Sequence, residues 1–361
     1  MKNIHLNILS LINVGLGFVF IIMLGRKLGL GEQTDIYFFA LIIVAYLEQF
    51  VGLTWIAIKH YYAELKVDNN QYLKKVYVIL LNNIIAFSVF IIGFYFFITS
   101  FFDVFSAEVK SFLDVYIFFV LVHSLLTYNK KILNLEHYYA SVYIVDIFVY
   151  SVNLFIVVFF METEVLILAY SSILASVLVV LWQFKHIFNK INFRYELIFY
   201  EKDVIKEIYR NSFKLNISSI LYKFKDIIIA ACFTGSSSGE YSLFSYASKF
   251  VGAVSTVVTG PLENVYAARI SHIMAKKDFN LAIKTVKNLL LKTSSLFSFS
   301  ALITYFCLPY ILEVMIGSNI TDLQISTIQF IFVLLSFYYL LKAIELPYGK
   351  ILFLFKFFNF G

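Results

Sequence analysis

Apolar runs close to twenty residues long recur from one end of this chain to the other, and no other feature limits its fold as tightly. Each run is long enough to cross a hydrocarbon core about 30 Å thick as a helix. Inside that core the backbone must satisfy its own hydrogen bonds, so a spanning segment is either a helix or one strand of a closed barrel. Barrel strands are about ten residues of alternating polarity, and these runs do not alternate. The expected fold class is an all-α polytopic membrane protein. Composition agrees, because 61% of the 361 residues are hydrophobic and 14% are charged, against about 25% charged in soluble domains.

Ten spans are expected, at approximately 4–25, 36–58, 76–98, 112–130, 139–161, 165–187, 211–233, 241–261, 288–311 and 324–346. The tail from Leu346 to Gly361 reads as the start of an eleventh. The first run is too long for a signal-peptide core and lacks a small-residue cleavage site, so it reads as a retained helix. Cys232 and Cys307 both fall inside apolar runs, which leaves no disulfide framework and no cysteine-based metal spacing. The net charge of +6 lies in loops and speaks for membrane orientation, not nucleic-acid binding.

Lysine and arginine concentrate in alternate loops. They follow the second span (Lys59, Lys66, Lys74, Lys75), the fourth (Lys130, Lys131), the sixth (Lys185, Lys190, Arg194, Lys202, Lys206, Arg210) and the eighth (Arg269, Lys276, Lys277, Lys284). Loops after the fifth, seventh and ninth spans contain none. By the positive-inside bias, the N-terminus and the even-numbered loops are cytoplasmic. Arg26 and Lys27 are the exception, since they fall on the outer side. Short outer loops also disfavour lipid-linked glycosyltransferases, ligases and polymerases, which need an outer domain for chemistry.

The polar segment 188–210 divides the chain into a first lobe of six spans, 1–187, and a second, incomplete lobe, 211–361. The halves are weakly alike. GEQTDIYFFA (31–40) and SSSGEYSLFS (236–245) each join a small, polar turn to an acidic residue and an aromatic-rich helix start, which makes Asp35 and Glu240 equivalent positions. A duplicated bundle of this kind is common among transporters.

Ionisable residues inside spans are costly and usually face the protein interior or a water-filled cavity. In the seventh span Ser212, Asn216, Ser219, Lys223 and Asp226 fall within roughly 80° on a helical wheel, with Lys223 and Asp226 placed to pair. The fifth carries Tyr143, Asp146, Tyr150 and Asn153 on one face, and the fourth Tyr116, His123, Thr127 and Lys130. The eighth carries Ser245, Lys249, Thr256 and Thr259, and the first Asn3, Asn7, Ser10 and Gly17. Stripes of Ser, Thr and Asn alone serve helix packing as readily as a cavity, and a lone His123 reads first as a packing residue. Asp146 and the Lys223–Asp226 pair are the stronger cavity candidates, with a structural ion pair as the competing reading. No phosphate loop, metal-ligand spacing or Ser–His–Asp pattern is present in the sequence, so the chain is not expected to be an enzyme or to need a cofactor.

The stretch LGRKLGLGEQTDIYFFA (24–40) joins a basic pair, a Gly-x-Gly turn and an acidic helix start. With GEYSLFSYASKFVGAVSTVVTGPLENVYAARIS (239–271) it resembles the lipid-linked oligosaccharide flippases of the multidrug/oligosaccharidyl-lipid/polysaccharide exporter superfamily. Both the Wzx-type O-antigen flippases and the related lipid II flippases share the pattern. The resemblance implies a MATE-like bundle of two six-helix lobes around a central charged cavity that opens alternately to each side. It implies a substrate of undecaprenyl-diphosphate-linked oligosaccharide, a bacterial inner-membrane location and partnership with polysaccharide polymerase or assembly proteins. Na+ or H+ would be the coupling ion. By position, Arg26, Asp35 and Lys249 match the family's basic turn residue, acidic helix start and basic eighth-helix residue. With Asp146, Lys223 and Asp226 they form the candidate substrate-binding set. The first helix lacks an interior arginine, and position 48 is Glu48 where lipid II flippases tend to be basic, which favours the oligosaccharide branch. Family members have twelve or more helices, so the second lobe is expected to be truncated and its activity reduced. A cation-coupled multidrug exporter of the same superfamily and a non-transporting scaffold remain the alternatives.

Overall fold

A computed structural model describes residues 2–58, 61–62, 70–102, 105–161, 164–200, 204–234, 239–275, 279–317 and 320–358. These form eleven helices among the described residues. They are α1 (Lys2–Leu28), α2 (Glu32–Gly52), α3 (Asn70–Phe101), α4 (Ala107–Tyr116), α5 (Phe119–Leu135) and α6 (Ala140–Phe159). There follow α7 (Leu166–Ile191), α8 (Val204–Thr234), α9 (Glu240–Ala275), α10 (Phe279–Ile316) and α11 (Asp322–Phe358). The expectation of an all-helical polytopic membrane protein holds.

Eight of the ten expected spans coincide with stretches long and apolar enough to cross a bilayer, with α4 and α5 together making one. The other two, 211–233 and 241–261, coincide with α8 and α9, which are not among these apolar spans. In α8 the reason is its charge, which includes Lys206, Glu207, Arg210, Lys214, Lys223, Lys225 and Asp226. At 31 residues α8 is still about 46 Å long, more than a bilayer core requires. The expected break near Leu346 is not seen, because α11 runs on unbroken to Phe358.

Helix ends follow local chemistry. Ser106 caps α4, its hydroxyl accepting from the Val109 N–H at 3.4 Å. Asn192 closes α7 in the left-handed conformation, with its N–H on the Phe188 carbonyl, a role for which asparagine carries little strain.

The chain forms two compact units, Met1–Tyr241 and Ser242–Gly361. In the first, α1 packs on α6, α2 on α8, α3 on α5, and α7 on α5 and α6. Aromatic side chains fill the contacts. Tyr77 of α3 stacks on Tyr128 of α5 at 5.4 Å, Trp55 meets Tyr128 edge-on, and the Tyr77 hydroxyl donates to Asn129 Oδ1. Each such ring pair adds about 0.5–1.5 kcal/mol beyond its area. Asn153 of α6 bonds both Ser171 and Ser172 of α7, and Gln183 of α7 donates to the Leu126 carbonyl. These are interhelical polar links of the kind that add about 1 kcal/mol or less in a membrane. Gly17 admits the ring of Tyr150, which a side chain there would meet at 3.4 Å, so α1 and α6 lie close. In the second unit α10 packs on α11. Outward faces carry Leu11, Phe97, Phe101, Phe159 and Phe306, all exposed, as a lipid-facing surface requires.

Candidate functional site

Within the first unit, charged side chains from α2, α5, α6 and α8 converge at one level. Lys130 Nζ of α5 donates to both carboxylate oxygens of Asp146 on α6, at 2.9 and 2.7 Å. Asn13 of α1 adds a third donor, its Nδ2 reaching Asp146 Oδ2 at 3.4 Å. Two turns along α5, His123 Nδ1 stands 2.6 Å from Glu48 Oε1 of α2, an ion-pair distance without hydrogen-bond alignment. Glu48 and Asp146 both act on the charge of His123, and so does Lys130. From α8, Lys223 Nζ donates to the Ala45 carbonyl at 3.4 Å and lies within electrostatic reach of Glu48 and Asp226.

Helix lengths explain why these groups share a depth. Glu48 and His123 each sit sixteen residues into their spans, which begin at residues 32 and 107, roughly 24 Å along each axis. Asp146 lies 13 residues before the end of α6 and Lys223 11 before the end of α8, roughly 20 and 16 Å from the same side. Glu48 is four residues from the end of α2, which puts the cluster toward that end of the bundle. The faces of these groups differ from the buried ones. In α5 the packed side holds Val120, Leu126, Tyr128, Asn129, Ile132 and Leu133, whereas the side chains of His123 and Lys130 stay 37% and 21% accessible. The His123 ring stacks on Phe119 at 4.9 Å, and Tyr116 and Tyr150 lie within electrostatic reach of Glu48 and Asp146. Asn13 Oδ1 is buried with no hydrogen-bond partner among the described residues.

The six residues singled out in the sequence are spread over several places. Asp146 is at the centre of the cluster and Lys223 at its edge. Lys223 and Asp226 stay within electrostatic reach of each other, but the hydrogen bond of Lys223 goes elsewhere. Lys223 turns to α2, while Asp226 Oδ1 stands 4.0 Å from its neighbour Lys225. The physical reason is that α8 packs on α2, where Ser212 takes the Ala57 N–H and Asn216 donates to the Gln49 carbonyl, so its stripe faces backbone. Arg26 lies exposed in the last turn of α1 beside Lys27. Asp35 sits in the first turn of α2, and its Oδ2 accepts from the Gly239 N–H at 2.7 Å. Lys249 lies half-buried on α9 in the second unit. Side chains of Asn3, Asn7 and Ser10, from the first-span stripe, lie outside the described residues. The fifth-span stripe splits. Asp146 turns to α5 and α1, but Asn153 is buried against α7 as a packing link.

Sequence reading assigned Glu48 no partner and left His123 as a packing residue. A signal was present in the fourth-span stripe, which put His123 and Lys130 on one face without showing which carboxylates answer them.

This all-helical membrane architecture is shared with a solved membrane protein. The solved structure that shows this is the lipid II flippase MurJ in an inward closed conformation. It is similar to this chain with a TM-score of 0.75 at 17% identity, over 96% of this chain and 76% of that one. No family model matches the chain, and no curated protein does.

Proposed function

We propose that this chain moves an undecaprenyl-diphosphate-linked oligosaccharide across the bacterial cytoplasmic membrane, for O-antigen or another surface polysaccharide. The observation that carries the reading is the fold, shared with a lipid II flippase over nearly the whole chain. The charged cluster supports it. A lipid diphosphate is a concentrated anion, and cations in a low-dielectric setting hold it far more strongly than in water. Lys130, His123 and Lys223 supply donors there, and Asp146 and Glu48 balance them while no substrate is bound. Exchange of a carboxylate partner for a phosphate oxygen, and back again, would let the site take up and release its load without leaving a bare buried charge. The orphaned Asn13 Oδ1 is an acceptor for a sugar hydroxyl. Arg26 and Lys249 are the further cations of the substrate path, and Asp35, Asp146 and Asp226 its acidic members. The N-terminus is cytoplasmic in this reading, the site is exposed to each side in turn, and Na+ or H+ drives the cycle. Polysaccharide polymerase or assembly proteins would receive the product.

The test is expression in two strains, one lacking its O-antigen flippase and one depleted of its lipid II flippase. Surface glycan should return in the first, with no rescue of growth in the second. Rescue of the second strain alone would make lipid II the substrate. Failure in both, at normal membrane levels, would remove the flippase reading, and drug resistance gained instead would favour the multidrug exporter.

A further inference from the structure

A second polar site, built from residues other than those of the charged cluster, lies at the membrane boundary. After Asn192 closes α7, the chain turns back and runs extended along the start of α3. Asn82 Nδ2 donates to the carbonyls of Glu196 and Ile198, both at 2.8 Å, and Asn83 Nδ2 donates to that of Phe199 at 2.8 Å. The Phe193 ring packs on Tyr77 at 4.9 Å. Residues 193–199 are thus held as a strap. Between the strap and the first two turns of α3 is a pocket of about 650 Å3, lined by Gln71, Tyr72, Lys74, Lys75, Arg194 and Glu196 among others. Three cations face one carboxylate there.

Two neighbouring span ends place the pocket. The spans expected at 76–98 and 165–187 put Gln71–Lys75 just before the span of α3 and Asn192–Glu196 just after that of α7, at the edge of the hydrocarbon. On the strap's outer side Tyr195, Leu197, Phe199 and Tyr200 are exposed. Aromatic side chains of this kind settle at the headgroup level, with apolar body inward and polar tip outward. A cationic pocket roofed by interfacial aromatics therefore opens where lipid phosphates lie.

We propose that this pocket binds the phosphate headgroup of an anionic membrane lipid, with Arg194, Lys74 and Lys75 as its ligands. Arginine grips two phosphate oxygens through parallel N–H donors, while each lysine adds a compact charge. The strap supplies the rigidity, since its backbone is tied to α3 by amide side chains whether or not the lipid is present. The site is separate from substrate transport and does not depend on which sugar is carried.

The experiment uses the full chain in detergent micelles and follows its thermal unfolding midpoint against added lipid. Phosphatidylglycerol, but not phosphatidylcholine, should raise the midpoint. Arg194→Ala, and Lys74→Ala with Lys75→Ala, should each weaken the apparent affinity about tenfold, as loss of a charged phosphate contact of about 1.4 kcal/mol implies. Arg194→Lys should fall between. A control pair, Lys284→Ala with Lys287→Ala, removes the same charge elsewhere and should leave the response intact. Inorganic pyrophosphate in phosphatidylcholine micelles tests for a soluble ligand. A pyrophosphate response lost in the same variants would overturn the lipid assignment. The proposal also fails if phosphatidylglycerol gives no shift, or if its shift is equal in the pocket variants and the control.

Discussion

Lys130 and Asp146 meet at 2.7 Å with 21% and 33% of their side chains accessible. Stripping one partner from a fully buried pair costs about 3–5 kcal/mol. Partial accessibility screens the orphaned charge, and about 1–2 kcal/mol is expected here. Asp146→Asn or Lys130→Gln alone should lower the unfolding midpoint of the purified protein, and the two together should recover most of the loss. Export of lipid-linked sugar, read as surface glycan, should stay low in the double variant, because a phosphate would lose its lysine. Recovery of both stability and export would mean that the pair only locks α5 to α6. Arg26 makes a sharper case. Arg26→Ala and Lys249→Ala should each cut export strongly at unchanged membrane level, and Arg26→Lys should keep part of it, since lysine offers no bidentate grip. Lys27, about 100° around the helix, should tolerate alanine. Normal export in Arg26→Ala would reduce these cations to interfacial anchors.

Elements are also joined at their turns, by a contact the sequence likeness did not foretell. GEQTDIYFFA and SSSGEYSLFS were equivalent on paper, and their turns touch. Asp35 accepts from the N–H of Gly239, just before α9. Gly239 has φ +91°, and a side chain there would stand 2.7 Å from the Leu30 carbonyl oxygen, so strain and collision act together. Gly239→Ala should lower stability by about 1–3 kcal/mol. An unfolding midpoint unchanged in Gly239→Ala would show that the clasp does not form. The strap on α3 makes a separate test. Trypsin cleaves after arginine, and the exposed Arg194 lies in a strap whose backbone is pinned through Asn82. Asn82→Ala should speed cleavage at Arg194 severalfold with the helices intact. Equal rates would mean that Asn83 and Phe193 hold the strap without Asn82.

For the whole molecule the first question is which side each loop faces. With Cys232 and Cys307 replaced by serine, a cysteine at residue 190 should react only with cytoplasmic reagent. One at residue 163, which lies outside the described residues, should react only from the opposite side. Periplasmic labelling at 190 would invert the map, and with it the leaflet assigned to the basic pocket.

What the sequence determined alone is what depends on each residue's own solvation. Twenty apolar residues prefer lipid wherever they stand, so the class of protein and eight of its spans were legible from composition along the chain. Faces were half legible. Periodicity put His123 with Lys130 and Asp146 with Asn153, but an arc on one helix cannot say which neighbour it meets. That was decided by tertiary packing. α5 presents Tyr128 to Tyr77, His123 to Glu48 and Lys130 to Asp146, while Lys223 of α8 donates to the Ala45 carbonyl of α2. An ion pair forms only where two helices agree in depth and rotation, and both are set by the apolar faces that pack. The same holds for the strap, whose residues are ordinary loop chemistry until Asn82 and Asn83, more than a hundred positions earlier, fasten them over a cationic pocket.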